Sequence, residues 1–287
     1  MEEPKIKQKR GKLSLVATPI GNLADLSERQ RDTLAAADLV AAEDTRHSGL
    51  LLAHLGLKKP LLSYYKHNEA GREEELLAKL AAGENIALIS DAGTPGICDP
   101  GSSILLAAAQ AGFEVDAIPG PCAAIQALVL SGLPTERFAF EGFLPRGKVK
   151  LEFLQKLAAE ERTLVFYEAP HRLRETMQML EEVFGGGRRM AVCRELTKKF
   201  QEVQRGTVAE LAAVWQEREP RGEYVLVLEG CDEACHRPEV GEEQLKAELK
   251  RLLDGGMKHK AAAREIAARY SLPVSRVYAL GLVLKRE

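Results

Sequence analysis

The spacing of apolar positions switches repeatedly over the first 120 residues. Short apolar runs occur at 13–17 (LSLVA), 38–42 (DLVAA), 60–65, 85–90 (NIALIS) and 113–118 (FEVDAI). Runs of this length, bounded by Gly, Pro, Asn and Asp, predict buried strands. Helical signals lie between them: ERQRDTLAAA behind a Ser27 cap, a charged stretch over 69–82, and 100–111. Asp99 and Pro100 offer that last helix an N-cap and a first-turn proline. Strands alternating with such helices predict a parallel sheet covered on both faces.

A helix running to about Gly132 follows, and then a second set of apolar runs at 137–142, 163–167, 189–194, 200–205 and 223–229. Helices are expected near 148–158, 171–183 and 207–217. The runs 189–194 and 200–205 are too close for a parallel crossover, so they pair antiparallel and the second sheet is mixed. The expected organisation is a basic tail (1–12), a parallel-sheet α/β domain (13–121), a second α/β domain with a mixed sheet (122–231), a polar linker (232–242) and a C-terminal helical segment (243–287). Within that segment, 258–270, the turn SLPVS and 276–284 fit a helix-turn-helix with cations on both helices. A small helical cap on the second domain fits equally well.

Composition narrows the class. With 45% hydrophobic and 29% charged residues the chain is globular. No apolar run reaches the roughly 18–20 residues of a membrane span. The start, MEEPKIKQKRGK, leads into a strand rather than the apolar core of a signal peptide. Five dispersed cysteines (Cys98, Cys122, Cys193, Cys231, Cys235) fit a reducing compartment better than a disulfide framework. Cys231, Cys235 and His236 supply three ligands with no second pair, so no metal is expected. A net charge of -2 argues against binding nucleic acid by bulk electrostatics. Residues 258–287, however, carry seven Lys/Arg against two Glu, and 188–205 carry six against two. Local patches of this kind can meet phosphates on a chain that is acidic overall.

Candidate chemistry gathers where strands end. Three loops leave predicted strands with unusual composition: Ala17-Thr18-Pro19-Ile20-Gly21-Asn22, Asp91-Ala92-Gly93-Thr94-Pro95-Gly96 and Pro119-Gly120-Pro121-Cys122-Ala123. In an open parallel sheet the ligand sits beyond the carboxyl ends of the strands, and glycines there let backbone approach it closely. No G-x-G-x-x-G opens the first helix, no P-loop occurs, and no nucleophile elbow is present. Spacing alone therefore leaves the ligand unnamed, though not a polyphosphate nucleotide.

Longer stretches carry a resemblance. VATPIGNLADLS (16–27), AEDTRHSGLLL (42–52), YYKHNE (64–69), SDAGTPGICDPG (90–101), PGPCAA (119–124), FEGFLPR (140–146), VFYEAPHRL (165–173) and CRELTKKFQEVQRGT (193–207) resemble the tetrapyrrole-methylase superfamily of S-adenosylmethionine methyltransferases. The match is to its 16S ribosomal RNA cytidine 2′-O-methyltransferase branch. The resemblance implies a cytoplasmic, two-domain, homodimeric enzyme that methylates a cytidine ribose in the decoding centre, on the 30S subunit. It implies S-adenosylmethionine in the cleft between the domains, held by Pro19, Ile20, Asp91, Ala92, Gly93, Ile97, Cys122, Ala123, Tyr167 and Leu196.

A ribose hydroxyl is a weak acid, so a basic group near it would assist transfer. Glu43, Asp44, His67, Glu168 and Lys198 are the candidates, with Glu43 and Asp44 preferred because AEDTR follows a strand end. Arg46, Lys66, Arg146, Lys148, Arg172, Lys198 and Lys199 are the candidate phosphate contacts. Two rivals are a methylase of a tetrapyrrole or corrin-type small molecule, and a ligand-sensing helix-turn-helix regulator. The first would need an apolar acceptor cleft. The second would need more base-reading side chains than Arg276 in its last helix.

Overall fold

A computed structural model describes residues 10–231, 242–269 and 277–281. In it, five strands form an all-parallel sheet: β1 (Lys12–Val16), β2 (Leu39–Ala42), β3 (Leu61–Ser63), β4 (Ile86–Ile89) and β5 (Glu114–Ile118). Their order is β3-β2-β4-β1-β5. Helices α1 (Glu28–Ala36) and α2 (Thr45–His54) accompany a core of Val16, Leu34, Val40, Leu52 and Ile89 on one face. Helices α3 (Glu69–Ala81) and α4 (Ser102–Gln110) accompany Leu15, Leu76, Leu88 and Ile104 on the other. The connection from β1 runs toward β2, and that from β4 runs past β1 to β5. The crevice at this reversal opens between β4 and β1. The three Gly/Pro loops leave the neighbouring strands β4, β1 and β5, so the sheet itself brings them side by side.

Two elements differ from the sequence expectation. Helix α2 was not anticipated, yet the parallel pairing of β2 with β3 calls for a crossover element. Asp44 is its N-cap, accepting from the Arg46 N–H at 2.8 Å, while Ser48 and Leu52 turn inward. Helix α4 starts at Ser102, with Gly101 (φ 135°) as N-cap, rather than at Pro100 behind Asp99. Asp99 is left to face the crevice.

Helix α5 (Ala123–Ser131) leads into the second sheet, of order β6-β7-β10-β8-β9. Its strands are β6 (Phe138–Phe143), β7 (Thr163–Glu168), β8 (Arg189–Arg194), β9 (Glu202–Thr207) and β10 (Tyr224–Leu228). β6 and β7 are parallel and the other pairings antiparallel, so the sheet is mixed, with β8 and β9 paired as expected. Helices α6 (Lys148–Lys156), α7 (Leu173–Phe184) and α8 (Val208–Glu217) close one face over Leu154, Phe166, Met177, Leu180 and Trp215. On the other face α5 sets Ala124, Ala127 and Leu128 against Val165, Ala191, Cys193 and Val225. The α/β architecture, parallel sheet first and mixed sheet second, is the one predicted.

Helices α9 (Glu242–Asp254) and α10 (His259–Arg269) form their own cluster through Leu245, Leu249, Ala262, Ile266 and Val277. The turn and both ends of the last helix on which the helix-turn-helix reading depends lie outside the described residues, while 277–281 are helical. So do Cys235, His236 and residues 1–9.

Gln30 ties the first loop to the sheet. It is fully buried in α1, where its carbonyl oxygen accepts from Ser27 N–H at 2.6 Å and Ser27 Oγ accepts in return from Gln30 N–H. Its amide donates to the Ala17 carbonyl at 2.9 Å, where the first loop begins. Gly120 of the third loop lies against it, and a β-carbon there would run into the Gln30 amide and the Ala17 side chain. Gln30→Met keeps the volume but leaves the Ala17 carbonyl and Ser27 N–H unpaired. It is expected to lower stability by about 2–3 kcal/mol in urea denaturation.

Candidate active site

Short backbone and hydroxyl bonds hold the three loops together. Thr18 and Gly93 exchange N–H···O bonds of 2.8 and 3.1 Å, joining the loops after β1 and β4. Thr18 Oγ1 donates to the Ser90 carbonyl at 3.1 Å, and Thr94 Oγ1 donates to the Pro121 carbonyl at 3.1 Å. Gly93 sits at φ 88°, and a side chain there would press on Ile20 and the Pro121 carbonyl. The third loop is tied to the second sheet by the Ala124 N–H, which donates to the Tyr167 hydroxyl at 3.2 Å.

These loops and the ends of β6, β7 and β10 enclose a cleft of about 500 Å³. Its floor is Ile20, Ala92, Gly93, Cys122 and Ala123; its far wall is Tyr167, Ala169, Pro170 and Val225. Phe140 and Phe143 meet Tyr167 edge-on at 4.9 and 5.3 Å, and Phe143, 60% exposed, stands at the rim. Cys98, itself left-handed at φ 68°, faces the β6 bulge, where a β-carbon on Gly142 would come within 3.0 Å of its sulfur.

The cleft is lined by five carboxylates, Glu43, Asp91, Asp99, Glu168 and Glu223, with no Lys, Arg or His among its lining residues. Two are neutralised from behind. Buried Glu168 is paired with buried Lys150 at 3.7 Å and with Arg172 at 3.4 Å, and accepts from Thr176 Oγ1 at 2.5 Å. Glu223 is paired with Lys198 at 2.7 Å. Among the described residues no cation pairs with Glu43, Asp91 or Asp99. Burial, reinforced by Asp91, pushes the Asp99 carboxyl up to about 6, with a hydrogen bond from Ser90 opposing it. Burial, with Asp99 and Asp91 nearby, also raises Glu43, although the Asp91 N–H donates to it.

Eight of the ten expected donor-site residues line this cleft: Ile20, Asp91, Ala92, Gly93, Ile97, Cys122, Ala123 and Tyr167. Pro19 lines a smaller cavity on the other side of the first loop, and Leu196 is buried against α5. Of the preferred carboxylates, Glu43 faces the cleft, whereas Asp44 caps α2 and pairs with Arg46. His67 is exposed beside Tyr65, away from the cleft.

Arg46, Lys66, Arg146, Lys148 and Lys199 are exposed. Arg172 instead donates to the Leu144 and Pro145 carbonyls at 2.7 and 2.5 Å. Lys198 is held by Glu195 and Glu223, its stem over Gly21, so both of these cations are engaged within the protein. Asp99, Cys98, Phe143 and Glu223 belong to the cleft without having been singled out. The signal for Asp99 lay in SDAGTPGICDPG, where a cap reading took precedence.

Residues 12–212 match the Tetrapyrrole (Corrin/Porphyrin) Methylases family. A Synechocystis sp. relative named "Ribosomal RNA small subunit methyltransferase I" is 48% identical over 278 residues, covering 96% of this chain and 99% of its own. A Haemophilus influenzae relative of the same name is 43% identical, covering 95% and 96%. Among solved structures, uroporphyrin-III-C-methyltransferase from Thermus thermophilus shares the fold, with a TM-score of 0.52 and 23% identity over 77% of this chain and 92% of that one. Among the described residues no cluster of three or more His, Cys, Asp or Glu is arranged to hold a metal, and no helix is long and apolar enough to cross a membrane.

Asp99 gives a pH signature. Its folded value, about 6 against an ordinary 3.8, means the folded chain binds this proton more tightly than the unfolded chain. The contribution to stability is present below about pH 4 and is lost as pH rises to about 6. Asp99→Asn is expected to be more resistant to urea than the parent at pH 7.5. The gap should close toward pH 4, measured as the shift in denaturation midpoint.

Proposed function

Because the chain belongs to the tetrapyrrole methylase family and is a methyltransferase whose donor is S-adenosylmethionine, we propose that its acceptor is the 2′-oxygen of a cytidine in the decoding centre of 16S ribosomal RNA. We further propose that it works as a cytoplasmic homodimer on the assembled 30S subunit. The observation that carries the acceptor is the 41–48% identity to relatives named for the small-subunit ribosomal RNA. The cleft suits the donor. S-adenosylmethionine supplies a methyl group already activated on a positive sulfonium, and three carboxylates without cations favour a ligand of that sign. Ala92, Gly93 and Ala123 would hold it largely through backbone, with Ile20 and Tyr167 against its apolar parts.

What remains for the protein is to present the hydroxyl in line, exclude water and accept a proton. Glu43 is our proposed proton acceptor. It follows β2 at the crevice, and the Asp91 N–H orients it. Partial burial beside two other carboxylates makes it more basic than an exposed glutamate. Exposed Arg46, Lys66, Arg146, Lys148 and Lys199 are proposed to contact phosphates and fix the strand, leaving sequence to be read elsewhere.

The reading is tested by supplying purified protein with methyl-labelled donor and 30S subunits from cells lacking the protein, then mapping the labelled nucleotide. Label on one ribose of 16S RNA is expected; label only on a tetrapyrrole offered in parallel would overturn it. Glu43→Gln is expected to lower transfer by about a hundredfold or more while donor affinity, measured by calorimetry, falls by no more than about fivefold, the share of one of the three facing carboxylates.

A further inference from the structure

A second cavity, of about 250 Å³, lies on the far side of the first loop from the donor cleft. It is formed by Thr18, Pro19, Gly21, Asn22 and Leu23 on one side and by α2 on the other, and Asp91 lines both it and the cleft. A nucleotide whose ribose reaches the cleft at Asp91 has its base one bond away. Asp91 is common to both cavities, and the large polar cavity beneath α1 shares no lining residue with the cleft.

The chemistry of the cavity fits a single planar heterocycle. Leu23 (48% exposed) and Leu50 (72% exposed) set apolar side chains at its surface, against which a base ring can lie. His47 and His54 border it from α2. Asn22 Oδ1 accepts from the Ala24 N–H at 3.1 Å, which assigns the amide nitrogen as the group left to donate. One Asp91 oxygen accepts from the Asp44 N–H at 3.0 Å, leaving its other oxygen as an acceptor.

Enzymes that act on one nucleotide of a folded nucleic acid extrude it. They read the freed base through its Watson–Crick edge between apolar faces. Cytosine presents two acceptors and an exocyclic amine donor on that edge, and a carboxylate is a partner for the amine. Uracil carries an oxygen in the amine's place and would set it against the carboxylate.

We propose that this cavity is the base-reading subsite: it receives the extruded pyrimidine of the target nucleotide, with the Asn22 amide donating to the ring acceptors and Asp91 accepting from the exocyclic amine. The inference rests on the ribosomal RNA reading above and adds to it the residues that select the base.

Asn22→Asp tests the claim, because the aspartate keeps the oxygen that caps residues 23–25 and replaces the amide donor with a charged acceptor that repels the ring acceptors of the base. Small subunits are reconstituted with either cytidine or uridine at the nucleotide that the parent enzyme methylates. The parent is expected to prefer cytidine by at least about tenfold in kcat/KM. Asn22→Asp should lose at least about tenfold on cytidine and narrow that preference, with donor affinity within twofold of the parent. Leu50→Trp, which narrows the cavity from α2, should raise KM for subunits without altering donor affinity. An unchanged cytidine rate and preference in Asn22→Asp would overturn the subsite while leaving the function standing. A parent that methylates no ribosomal RNA would overturn both, and that control separates the two failures.

Discussion

Two backbone hydrogen bonds between Thr18 and Gly93 hold the crevice in shape. They cross the point where the chain reverses its direction of travel along the sheet, and they use main-chain groups, so among substitutions only proline would take a donor away. From that bridge the other loops take their places. Thr94 reaches the third loop through the Pro121 carbonyl, and Gln30 braces the first loop from α1. Tyr167 carries the connection to the second sheet. The cleft is thus built from short bonds between loops, while the two sheets supply the rigid ends to which the loops are fixed.

Against this frame the carboxylates are arranged unevenly. Glu168 and Glu223 are answered by Lys150, Arg172 and Lys198, which fixes the wall they belong to. Glu43, Asp91 and Asp99 are left to face one another, and burial makes that costly, as the raised proton affinities of Glu43 and Asp99 express. A cationic ligand relieves this repulsion. Once the methyl group leaves, the remaining thioether is neutral and the relief is lost, so the same charges that favour the donor disfavour the spent product.

Much of this was legible in the residues. Strands such as LSLVA and NIALIS are short apolar runs between turn formers, and each is found within a residue or two of its expected limits. The three Gly/Pro loops were recognised because close backbone packing demands small or left-handed residues. What escaped was what depends on partners distant in sequence. Asp99 before a proline carries the local signature of a cap, and only the folded sheet turns it into the cleft. Helix α2 was hidden because Asp44 was weighed as a reactive carboxylate rather than as a cap, and Gly49 interrupts a weak pattern. Arg172 and Lys198 have the composition of surface cations; Glu168 and Glu195 stand four and three residues before them, but nothing local announces the Leu144 and Pro145 carbonyls or Glu223, which complete their hold.

The bracing of Gly120 against Gln30 also has an evolutionary corollary. A side chain gained at 120 would dislodge Gln30 and through it the start of the first loop, so the donor-facing turns are constrained to vary together or not at all. The outward surface of α2 is under no such restraint: His47, Leu50 and His54 are exposed and hold up nothing beneath them. Descent from a common ancestor could then diversify what is methylated by repainting one helix, while the machinery that grips the methyl source is inherited unchanged.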